Sequence, residues 1–207
     1  MNQEKILLTL QHHLPAPAVA YCFQLWSTYQ FLFKLRKTRI TKAGDFTFHP
    51  GKTPRITINV DLHPYSFLIT YIHEVAHLEV QSIFGQRVEA HGDQWKKAFQ
   101  QLMSPVLTEE VFPPDILAIL KKHMVNPKAS SFSDSELTAA LRKFDQNQAS
   151  IILLSQIPEG SVFGLHGRWF KKGKLKRTRV MCREVHTKRN YLVPVDAPVS
   201  GAQLSFL

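Results

Sequence analysis

The run His73-Glu74-Val75-Ala76-His77 sets two imidazoles four residues apart with a carboxylate beside the first. On a helix, positions i and i+4 share a face, so both rings can reach one ion. Glu74 then addresses a water at that ion rather than the ion itself. This is the chemistry of a catalytic zinc site, in which three protein ligands hold the metal and one position stays open for water. Glu74 is the candidate general base. The third ligand must come from further along the chain. Glu79 lies on the same helix but points off the ligand face, which leaves Glu89 and His91. His91 is the better placed: it follows a break at Gly85, precedes a new helical run over 93–103, and is followed by Gly92, which lets the backbone come close.

The elements around the motif are those needed to present it. Ser66 is a candidate helix cap, residues 67–83 contain neither Pro nor Gly, and Gly85 is a stop. Ile72, Ala76 and Ile83 recur at helical spacing as the core side of that helix. Ahead of it, helices are expected over 3–13 and 16–30. Phe31, Phe33 and Leu35 then alternate with Leu32, Lys34 and Arg36 as a strand, with further strands at 46–48 and 55–60. Residues 42–45 and 49–52 read as turns. The expected core is a small antiparallel sheet beside the zinc helix, able to pair with an extended peptide by main-chain hydrogen bonds. Trp95, Phe99 and Leu102 mark a following helix, in which Asp93 is a candidate cap and Trp95 a core residue that fixes the His91 loop. A short helix over 115–122 comes next. Residues 125–131 read as a linker, and Phe132, Ser133 and Glu136 as a capping box for one more helix.

His73, His77 and Glu74, followed by His91-Gly92-Asp93-Gln94-Trp95 and preceded by Arg55-Ile56-Thr57-Ile58-Asn59, resemble the SprT-like family of zinc metallopeptidases, to which the protease Spartan belongs. The resemblance covers about residues 30–105. It implies a zincin-like minimal protease core, one Zn2+ on His73, His77 and His91, Glu74 as base, and protein substrates crosslinked to DNA. Many members carry a cysteine zinc ribbon after the core. Here only Cys22 and Cys182 are present, so neither a four-thiolate site nor a disulfide framework can be built.

Charge is concentrated near the C-terminus. The chain of 207 residues carries a net +10. Residues 168–189 hold ten basic side chains, Arg168, Lys171, Lys172, Lys174, Lys176, Arg177, Arg179, Arg183, Lys188 and Arg189, against the single acid Glu184. Strands are expected at 161–165, 168–171, 174–185 and 191–195, with a turn at Lys172-Gly173. Thr178, Val180 and Cys182 should face inward, with Arg177, Arg179 and Arg183 outward. Basic strands interleaved with Trp169, Phe170 and Tyr191 suit DNA that is single-stranded or contains junctions, at low sequence specificity. A second basic patch is expected at Lys34, Arg36, Lys37, Arg39 and Lys42.

The expected architecture is α+β: a metalloprotease core over 1–125, a linker and short helix over 126–149, and a basic β-rich subdomain over 150–207. No run of about 18 apolar residues exists for a membrane span, and the N-terminus lacks the pattern of a signal peptide. The expected location is cytoplasmic, at the nucleoid in a bacterium. The expected activity is zinc-dependent endopeptidase action on DNA-associated proteins. The alternatives are a zinc-stabilised nucleic-acid-binding module without catalysis and a general cytosolic metallopeptidase.

Overall fold

Helix α1 (Gln3–His13) opens at Asn2, whose side-chain oxygen accepts the Glu4 N–H. The helix closes before Pro15, and a short 3-10 turn (Ala16–Ala18) leads into α2 (Val19–Tyr29). Strands β1 (Leu32–Arg36), β2 (Gly44–Thr47) and β3 (Arg55–Asn59) follow, then α3 (Pro64–Phe84), α4 (Asp93–Met103), α5 (Pro114–Val125) and α6 (Ser135–Arg142). The computed structural model describes residues 2–39, 42–128, 134–144, 152–165 and 167–203. It divides the chain into two units, Met1–Asp145 and Gln146–Leu207, each with its own apolar cluster. Helix and sheet are mixed in an α+β arrangement. Among the described residues no helix is long and apolar enough to cross a membrane.

The first unit's sheet has the order β1-β3-β2. β3 pairs antiparallel with β2 but parallel with β1, so the sheet is mixed rather than antiparallel as expected. The cause lies at the end of β3. The chain leaves β1, passes over that end and descends as β2. The Asn59 side-chain amide holds the crossing by donating to the carbonyls of Arg39 and Lys42. Both faces of β3 are covered: Ile56 and Ile58 are fully buried, and so, nearly, are Thr57 and Asn59. Gly44 and Asp45, expected in a turn, belong to β2, the edge strand against which α3 packs. The alternation in β1 is as read, with Phe31 and Phe33 buried and Lys34 and Arg36 exposed.

α3 starts two residues before Ser66. Pro64 takes its first turn, and the His63 ring nitrogen caps it by accepting the Tyr65 N–H. Ile72 and Ala76 are buried as expected, but Ile83 is 63 % exposed because the helix runs on past its packing partners. α4 is capped by Gly92, not Asp93, which sits in the first turn where its charge suits the helix dipole. α5 runs longer than expected, from Pro114 to Val125. α6 is capped by Asp134, which accepts the Leu137 N–H; Phe132 and Ser133 lie outside the described residues. α6 packs on α5, where Asp134 also meets the buried His123 ring at 2.9 Å.

The second unit is a six-stranded antiparallel sheet of order β4-β9-β5-β6-β7-β8. Its strands are β4 (Ile152–Leu153), β5 (Val162–Leu165), β6 (Arg168–Lys176), β7 (Arg179–Glu184), β8 (Asn190–Pro194) and β9 (Pro198–Gln203). The turn expected at Lys172-Gly173 lies instead at Arg177-Thr178, with Arg177 at φ 57°. Gly173 marks a bulge inside β6: a Cβ there would meet the Met181 carbonyl oxygen at 2.5 Å, so the backbones touch. Thr178 is therefore exposed in the turn, while Val180 and Cys182 face the core as expected. Cys22 and Cys182 are both free and fully buried, one in each unit.

Candidate metal centre

α3 brings His73 and His77 to one face, and the turn before α4 returns His91 to them. The three Nε2 atoms converge: His73 to His77 is 3.2 Å, His77 to His91 is 3.0 Å, and His91 to His73 is 3.3 Å. Glu89 is exposed, is not among the converging ligands and does not compete with His91. Glu79 is not among the converging ligands, as its helical position requires. Three lone pairs aimed at one point repel unless a cation takes them. Burial holds all three rings below their ordinary pKa, His77 at about 4 and His73 well below 6.5, with the neighbouring imidazoles adding to the effect at His73 and His77. At neutral pH the rings are therefore in the uncharged form that ligates metal. The group can hold a metal ion, and an all-imidazole set suits a transition metal rather than Ca2+ or Mg2+, which take oxygen.

Trp95 is the floor of the centre. It is fully buried, with ring centroids 4.7 Å from His73, 5.5 Å from His77 and 4.8 Å from His91. Its indole N–H donates to the His73 carbonyl at 3.4 Å. It does more than steady the His91 loop, since it touches all three rings. Phe46, from β2, lies parallel to the His77 ring at 6.5 Å.

Glu74 is 6 % exposed and faces β2. Its carboxylate accepts the Phe46 backbone N–H, yet burial and the Asp45 charge raise its pKa to about 8. Asp45 is itself paired with Lys42. Gly44 makes this closeness possible: a Cβ on it would lie 2.5 Å from Glu74 Oε1 and 2.7 Å from Thr70 Cγ2. Gly44, Asp45 and Phe46 are thus part of the centre, although the sequence around them reads only as a turn and a short strand.

The ten basic residues near the C-terminus are not equivalent. Arg168 donates through Nε and Nη2 to the two Glu184 oxygens, both at 2.6 Å, and packs 4.8 Å from the Tyr191 ring. Lys172 donates to the carbonyls of Leu154 and Ile157 at 2.7 and 2.6 Å. Both therefore make bonds within the second unit, Arg168 while remaining exposed. Lys171, Lys174, Lys176, Arg177, Arg179, Arg183, Lys188 and Arg189 are exposed. Strand register puts Lys171 opposite Arg183 on the outer face of the sheet. Of the aromatics, Phe170 is buried and Tyr191 is half-buried beside Arg168, whereas Trp169 is 50 % exposed. In the first unit, Arg39 is turned into the sheet and Lys42 onto Asp45, so only Lys34, Arg36 and Lys37 of the second expected patch stand free of such bonds as exposed cations. Comparison with family models, curated proteins and solved structures finds no match to this chain.

Proposed function

We propose that the chain is a zinc-dependent endopeptidase of the SprT-like, zincin-like kind, acting on proteins associated with DNA. The observation that carries the reading is the convergence of His73, His77 and His91 Nε2 beside the buried Glu74 carboxylate. Nitrogens about 2.0–2.1 Å from a tetrahedral zinc stand roughly 3.3–3.4 Å apart, within a few tenths of an ångström of the distances between these rings. Zinc bound there would supply Lewis acidity, acidifying water and polarising a peptide carbonyl. Glu74 takes the water's proton on its carboxylate and delivers it to the leaving amine nitrogen. In the metal-free centre burial raises the Glu74 pKa to about 8, which leaves the acid largely protonated at neutral pH; a Zn2+ bound beside it would favour the ionised form that the base role needs. β2 is an edge strand beside the centre, and its open edge suits an extended peptide held by main-chain hydrogen bonds. Eight exposed cations besides the paired Arg168, together with Trp169, suit a single-stranded polyanion with bases free to stack. Holding the nucleic acid would bring attached proteins to the centre by proximity.

Glu74→Gln tests the reading. The variant should retain one zinc per chain by elemental analysis and lose at least about 10²-fold in cleavage of a DNA-bound protein. His91→Ala should lose stoichiometric zinc. A wild type that binds no zinc, or a Glu74→Gln protein that cleaves as well as wild type, ends the proposal.

A further inference from the structure

Arg39 lies in the loop between β1 and β2, yet its guanidinium points into the protein. Nε donates to Asn59 Oδ1 at 2.9 Å, Nη1 to Thr57 Oγ1 at 3.0 Å, and Nη2 to the Thr57 carbonyl at 3.3 Å and, more weakly, the Ala43 carbonyl at 3.5 Å. Asn59 answers through its amide, which donates to the Arg39 and Lys42 carbonyls at 3.0 and 3.1 Å. The Asn59 backbone N–H donates to Ala43 at 2.9 Å. Thr57 and Asn59 are 2 and 3 % exposed, so these are bonds that buried polar groups must make somewhere. Their geometric effect is to pin Ala43. One residue later is Gly44, in contact with Glu74, and three residues later is Phe46, whose N–H the Glu74 carboxylate accepts.

We infer that Arg39, clasped with Asn59, is a positioning residue for the metallopeptidase reaction proposed above: it anchors the start of β2 so that Gly44 and Phe46 hold the Glu74 carboxylate in one orientation. The anchor requires a planar fork. A guanidinium reaches a side-chain amide, a hydroxyl and two carbonyls together, whereas an ammonium presents all its donors from one nitrogen. Charge alone is not the requirement, so lysine should not replace it. The inference rests on the peptidase reading for its consequence but not for its geometry, and the two can be separated.

The test uses the full chain as wild type, Arg39→Lys and Arg39→Met, each loaded with zinc. Hydrogen exchange read by mass spectrometry should show the β2 amides, residues 44–47, exchanging at least about tenfold faster in both variants, with α4 and α5 unchanged. On fluorescein-labelled casein with single-stranded DNA present, kcat should fall about 10- to 100-fold, with KM within about twofold and one zinc retained. In a Glu74→Gln background, Arg39→Lys should cause no further loss. β2 amides that exchange as in wild type overturn the anchor. Faster exchange with kcat unchanged, or with the loss appearing in KM or zinc content, overturns the positioning role. A wild type inactive on casein counts against the peptidase reading, and the exchange rates still decide the anchor.

Discussion

Gly44 matters at the candidate metal centre for the side chain it lacks. Its backbone approaches Glu74 so closely that a single methyl would displace the carboxylate or Thr70. On the proposed peptidase reading, Gly44→Ala should lower cleavage about 10- to 100-fold, since a catalytic group misplaced by about 1 Å loses that order of rate. It should cost about 1–3 kcal/mol of stability by overpacking, measurable in a urea melt. The three histidines and Glu74 are legible in the sequence because their spacing is local and the pattern of an ion's ligands is short. Gly44 and Arg39 are not. Gly44 meets Glu74 30 residues away, and Arg39 meets Asn59 20 residues away. No local periodicity connects such pairs; only the crossing of the chain over the end of β3 brings them together.

Among the elements, helices were legible to within a turn, as their apolar spacing is strong. Their ends moved where caps competed: His63 with Pro64 outranked Ser66, and Asp134 holds α6 through both the Leu137 N–H and His123. Strand alternation was legible in β1 and β7, but neighbour order was not. Alternation says which side chains share a face and nothing about which strand lies alongside. In the β6–β7 hairpin, Gly173 gave the signal of a turn and serves as a bulge, while Arg177 takes the left-handed conformation at the turn itself. The same hairpin contains an acid-sensitive clasp. Hydrogen bonds from Arg168 and Thr187 depress the Glu184 pKa from 4.5 to about 2. A depressed carboxylate favours the folded state when ionised, so its contribution is present above the unfolded value of about 4.3 and is lost as pH falls through about 2. Amide NMR of β7 should show the second unit loosening across that interval. Glu184→Gln should remove this pH-dependent loss by removing the titrating group.

For the whole molecule, most of the net charge lies in the second unit and the candidate metal centre in the first. The second unit holds ten of the 26 Lys and Arg residues and three of the 16 acids, a net +7 of the chain's +10. Nine of those cations are exposed, Arg168 among them although it is paired with Glu184. Should about six engage phosphates of a single strand, affinity for an oligothymidylate should fall about 10²- to 10³-fold between 50 and 200 mM salt. Fluorescence anisotropy at several salt concentrations measures that slope, and a flat profile would remove nucleic acid as the partner of this surface. On the proposed reading, cleavage of a DNA-bound protein should weaken with salt in parallel, while hydrolysis of a free peptide should not.

The two cysteines give this division a chemical readout. Each unit seals a single thiol in its core, Cys22 in one and Cys182 in the other. Brief alkylation at rising denaturant, followed by peptide mapping, therefore dates the opening of each half separately on the intact chain. Labels that appear at two concentrations mean that the halves melt independently; labels that appear together mean that they fold as one cooperative whole.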